Sequence, residues 1–160
     1  MGKVKKTGLL RKITALMLIC VLFVSVNSLT VFAATGSSTK TASQKMTVIL
    51  SGGSTGNSTA TTINFNSFPA DAVITRLEVN TGTMTYSGAV LTNSLTISGN
   101  GRTETIPWNG QANKTLTTSH FLMAEANGIF TITFNATNLG STLGTKSYKP
   151  KITIWWDDSF

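Results

Sequence analysis

Residues able to do chemistry are few in this chain. Histidine occurs once, at His120. A nucleophile, base and acid arrangement needs such a base with a carboxylate to orient it. The residues around His120 spell no motif of that kind. A lone histidine, with the single cysteine far away at Cys20, also falls short of the ligand set of a typical zinc site. His120 is expected as an ordinary loop residue. Glu104 and Glu125 are the candidates for the paired carboxylates of a glycosidase. Glu104 alternates with Thr103 and Thr105, so it is expected on a solvated strand face. Asp157 and Asp158 offer hard oxygens to calcium, but adjacent acids at such a position read first as a solvated tail. Gly52, Gly53 and Gly56 lack the Lys-Ser/Thr that completes a phosphate-cradling loop. No catalytic residue, metal or cofactor is assigned, and the function is read as non-enzymatic.

The aromatic residues carry more information. The closing segment runs from Tyr148 to Asp157. Period-two alternation puts Tyr148, Ile152, Ile154 and Trp156 on its inner face and Lys149, Lys151, Thr153 and Trp155 on its outer face. An outward tryptophan among lysines is an amphipathic platform for a sugar ring or a partner surface. The candidate binding residues are Trp155, Lys149 and Lys151, with Trp108 second, in the turn Pro107-Trp108-Asn109-Gly110.

These side chains need a scaffold, and the pattern specifies one. Short segments alternate apolar and polar residues: Met46 to Leu50, Ile63 to Phe65, Val73 to Thr81, Leu95 to Ile97, Arg102 to Ile106 and Phe130 to Phe134. In Val73 to Thr81, Val73, Leu77 and Val79 share one face, and Arg76, Glu78 and Asn80 the other. Asn100-Gly101 is a hairpin signal joining the fourth and fifth of these segments. Ser51 to Ser58 and Asn138 to Thr145 read as Gly-bearing loops, and Phe121 to Ala126 has weak helical character. The sum is about eight short strands with Gly, Asn and Ser turns. That predicts an all-β antiparallel sandwich, jelly-roll-like, over 45–160.

The first 33 residues differ in kind. Lys3, Lys5, Lys6, Arg11 and Lys12 precede an apolar run from Ile13 to Val26, and Val31-Phe32-Ala33-Ala34 follows with small residues where a signal peptidase reads. The run is shorter than the ~20 residues a membrane span needs. Residues 1–33 are therefore expected as a secretory signal peptide of Gram-positive bacterial type, cleaved after Ala33, with Cys20 inside it. The formal charge of the whole chain is +7. Beyond Ala33, eight cations face six acids, a net of +2. The basic balance thus reports export and not a nucleic-acid partner. No membrane span is expected after cleavage. A cysteine-free chain of about 127 residues must be held by its core. Thr35 to Gln44, rich in Ser, Thr and Lys, reads as a flexible lead.

Two stretches resemble the P-domain, the jelly-roll sandwich that accompanies subtilisin-like proprotein convertases. One holds AVITRLEV, TYSGAVL and LTISGNG between Ala72 and Gly101. The other holds EANGIFTITF and YKPKITIWW between Glu125 and Trp156. Together they cover about half of the mature chain. Ala89 follows Gly88 where that family carries an aspartate. The resemblance implies a jelly-roll fold and carries no function with it. The expected function is an extracellular binding module for carbohydrate or another cell-envelope component. The second expectation is a structural subunit of an extracellular matrix or fibre that oligomerises by strand exchange.

Overall fold

A computed structural model describes residues 34–160. The expected signal peptide lies outside the described residues. Within them the chain is all-β, with twelve strands and no helix. They are β1 (Thr35–Thr41), β2 (Met46–Leu50), β3 (Thr55–Asn57), β4 (Thr61–Phe65), β5 (Val73–Asn80), β6 (Met84–Ser87), β7 (Val90–Gly99), β8 (Arg102–Pro107), β9 (Thr115–Thr118), β10 (Gly128–Asn138), β11 (Gly144–Tyr148) and β12 (Lys151–Asp157). Every strand pairing is antiparallel.

Four strands order as β1-β12-β5-β9, and three as β2-β11-β6. The shared order has a simple cause. Each strand of the second set continues the chain of one in the first, so three chain passes run through both sheets and break at one level. The break falls at Ala42, Gly82 and Pro150. Pro150 has no N–H for a ladder, and its carbonyl accepts from the Ala42 amide at 2.9 Å. Gly82 has φ of 71°, and a Cβ there would overlap the Lys149 carbonyl. Only glycine meets both conditions.

The remaining strands form the opposing sheet, β3-β10-β7-β8, with β4 paired along the other half of the same β10 edge. Its inward side chains, Leu95, Ile97, Phe130, Ile132 and Phe134, are buried with Leu77, Val79, Ile152 and Ile154 of the four-stranded sheet. Its outward side is ruled by neutral hydroxyl and amide pairs, such as Thr96 with Thr105 at 2.9 Å and Thr55 with Thr137 at 2.8 Å.

Several expectations need correction. Thr35 to Thr41 is not a loose lead but the edge strand β1, in register with β12 over its whole length. Its inward positions are Gly36, Ser38 and Lys40, so no apolar pattern announced it. Thr55–Asn57 is a strand inside the segment expected as a loop, Gly144–Tyr148 is a strand that begins within the loop expected over Asn138 to Thr145, and β9 was not expected at all. The closing strand is two strands, β11 and β12, divided at Pro150. Phe121 to Ala126 holds tight turns, with the Ala124 amide donating to the Phe121 carbonyl at 3.1 Å. In β5, Ile74 and not Val73 is the fully buried residue. The reason is a bulge: Trp155 opposes Arg76 and Trp156 opposes Ile74, which leaves Thr75 without a partner and reverses the faces before it.

Candidate functional site

β12 alternates as expected from Lys151 to Ile154, and beyond it Trp155 and Trp156 are both half-buried. Ile152 and Ile154 are buried, Lys151 is exposed, and Trp155 is partly exposed on the outward face. Trp156 packs on the core beside Phe68, ring centroids 5.9 Å apart. Gly36 lies opposite Trp156, and a Cβ there would come within 3.0 Å of the indole. The missing side chain lets the ring lie flat across β1.

Trp155 sits between Ser37 of β1 and Arg76 of β5. The Arg76 guanidinium carbon lies 4.7 Å from the indole centroid, a cation–π contact. Arg76 also pairs with Glu78, which accepts a long hydrogen bond of 3.5 Å from the Thr117 hydroxyl. The next row of the same face holds Thr39 and Thr153, oxygens 2.8 Å apart. The row after that holds Lys151 and Asn80, whose amide donates to Thr115 at 3.2 Å. A shallow recess of about 290 Å³ opens beside Trp155, lined by Thr35, Ser37, Thr75 and Asp157. Hydrogen bonds from Ser159, side chain then amide, hold the Asp157 carboxyl below the usual carboxylate range. The face is thus a flat array of hydroxyls and an amide, with one aromatic ring and charges of both signs. Such a surface has the groups to stack on one face of a ring and to meet hydroxyls with short polar groups.

The other expected site residues are placed differently. Lys151 shares the outward face with Trp155, two side chains along the strand and about 13 Å away. Lys149 does not: it lies in the break between β11 and β12, half-buried, its amide donating to the Thr83 carbonyl at 3.3 Å. Trp108 is 4% exposed and belongs to the core. Its ring lies 4.5 Å from that of Tyr148 and 6.4 Å from that of Phe134, and its indole N–H donates to the Gln111 carbonyl at 3.2 Å. Trp108 is therefore packed among these side chains and presents no face for stacking. Glu104 is not on a solvated face. It pairs with Ile97 on the inner side of β8, half-buried, and accepts from the Thr118 hydroxyl. Glu125 is exposed in the turn before β10, where its carbonyl accepts from Asn100. His120 is exposed, edge-on to Phe121 at 5.8 Å. Asp157 and Asp158 accept from the amides of Ser159 and Ala34. Among the described residues no three His, Cys, Asp or Glu side chains cluster.

Two residues were not singled out by their sequence. Arg76 was placed on an outward face without its ring partner, because the pairing of β5 with β12 is not written in either strand. Lys146 falls between the expected loop, Asn138 to Thr145, and the expected closing strand from Tyr148, although counting back by twos from Tyr148 puts it inward. Burial lowers its pKa.

The fold and this face define a class: an all-β antiparallel sandwich with an aromatic and polar platform on one outward sheet face. No family model matches the chain. No curated protein matches it either. Among solved structures it is similar to the crystal structure of FlhE, at a TM-score of 0.43 and 12% identity, over 78% of this chain and 96% of that one.

Proposed function

We propose that this chain is an exported, non-enzymatic binding module that holds carbohydrate of the cell envelope on the outward face of the β1-β12-β5-β9 sheet. The observation that carries this reading is the placement of Trp155. A large ring stands on a solvent-facing strand, braced by Arg76 and flanked by hydroxyl rows, where packing alone asks for no tryptophan. Stacking supplies the affinity, and the flanking Ser37, Thr153 and Lys151 supply orientation. The basic and apolar opening residues and the small residues at Ala33-Ala34 support the export part of this reading. The experiment is a screen of glycans and isolated cell-wall polymers against the wild-type protein and Trp155→Ala. Binding by the former and not the latter supports the reading.

A second reading is favoured by β1. That strand is held by main-chain bonds to β12, but its inward side chains are a glycine, a serine and a lysine. An identical strand from a neighbouring copy would fit the same edge, which makes the chain a subunit of an extracellular fibre by strand exchange. Mass that grows with concentration distinguishes this reading from a monomeric binding module.

A further inference from the structure

β11 carries a charge into the interior. Its buried positions are Gly144, Lys146 and Tyr148. Lys146 lies between Val48 of β2 and Tyr86 of β6 and is 7% exposed. Its ammonium reaches across to the opposing sheet and donates to the Val90 carbonyl at 2.9 Å. The Tyr148 ring lies below it, 5.8 Å from Nζ to the centroid. No carboxylate pairs with it among the described residues, whose one ion pair is Arg76 with Glu78 on an outward face. An ammonium has three donors, and the protein takes one. A buried cation with no counter-charge is costly, and an apolar residue of similar volume commonly serves a fold as well or better. The fold by itself does not ask for lysine here.

The space beside Lys146 gives it a use. A groove of about 340 Å³ opens along β6, which pairs with β11 on one side and with no strand on the other. Met84, Tyr86, Val90, Leu91 and Leu139 form its walls. Tyr86 and Leu139 are 67% and 68% exposed, large apolar side chains with nothing packed over them. Apolar walls around one fixed polar group are the usual make-up of a small-molecule site, and the volume falls at the small end of that range. The charge selects the head group. Two free donors on a single cation match the two oxygens of one carboxylate.

We propose that this groove binds a medium-chain aliphatic carboxylic acid, its carboxylate paired with Lys146 and its chain covered by Tyr86, Leu91 and Leu139. A peptide ending in a free carboxylate is the weaker fit, because β6 is four residues long and offers little edge for a backbone to pair with.

Calorimetric titration with decanoate, decanol and an apolar peptide bearing a free carboxyl terminus tests the proposal. Decanoate should bind saturably at one per chain, at least tenfold tighter than decanol or the peptide. Lys146→Met should weaken decanoate tenfold or more and leave decanol unchanged. Should that variant not fold, Leu139→Asp, at an exposed wall position, should weaken decanoate by a similar factor. Absence of saturable decanoate binding overturns the proposal. So does equal binding of decanol, tighter binding of the peptide, or wild-type affinity in a folded Lys146→Met.

Discussion

The guanidinium of Arg76 lies over the indole of Trp155, 4.7 Å from its centroid, as the cross-strand neighbour on an outward sheet face. The contact is solvent-facing, and cation–π pairs at exposed sites contribute ~0.5–1 kcal/mol. Trp155→Ala should therefore lower unfolding stability by about 1 kcal/mol or less, read from urea melts. A loss of several kcal/mol would mean that the ring serves the core.

Trp156 answers to the opposite side. It packs against Phe68 and across Gly36 while keeping part of its surface in solvent. Full burial would place Trp156→Ala at ~3–5 kcal/mol, and the exposed part brings the expected loss to about 3 kcal/mol. Gly36→Ala should cost about 1 kcal/mol, since its Cβ presses on the indole. In the double variant Gly36→Ala/Trp156→Ala the glycine effect should vanish. Additive losses in that melt series would show that the two residues do not touch.

Gly82 sits at the level where three chain passes break together. Its φ of 71° and the overlap of any Cβ with the Lys149 carbonyl both act against a side chain. Gly82→Ala should cost more than about 2 kcal/mol. Gly101 has nearly the same φ, 72°, with open space around it. Gly101→Ala should cost only the backbone strain of ~1–2 kcal/mol, so equal losses at the two positions would refute the steric part of the argument.

Burial holds the Lys146 ammonium below the ordinary lysine value of 10.5. The unfolded chain then binds more protons than the folded one between the two values, so this group's contribution to stability rises with pH across that window. Below the folded value the full cost of the buried charge is carried. Tyr148 works the other way: burial raises its phenol above 10.0, so stability falls as pH climbs past that point. Unfolding free energies of wild type and Lys146→Met, measured from neutral to alkaline pH, isolate the lysine. The wild type should gain on the variant as pH rises. A constant difference, or a wild type that loses ground to the variant as pH rises, would contradict the burial of the charge.

Much of this architecture is legible from period-two alternation. Phe130, Ile132 and Phe134 face inward as read, and so do Ile152, Ile154 and Trp156, because apolar residues every second place leave one choice of face. Alternation fails where burial is not what fixes the strand. β1 pairs through its main chain with inward Gly36, Ser38 and Lys40, and no apolar period marks it. The bulge at Thr75 swaps Val73 for Ile74, a shift set by the partner strand and invisible in β5 alone. Pro107 and Asn109 made Trp108 look like a loop residue. Its burial depends on Tyr148 and Phe134, which are distant in sequence.

The outward face around Trp155 is the proposed site for carbohydrate of the cell envelope. The most direct measurement is a pull-down of the purified protein on isolated cell-wall polymers and immobilised glycans, with Trp155→Ala and Gly101→Ala in parallel. Wild type and Gly101→Ala should be retained by at least one polymer, while a folded Trp155→Ala should be lost to the wash. Retention of Trp155→Ala equal to that of wild type would contradict this assignment.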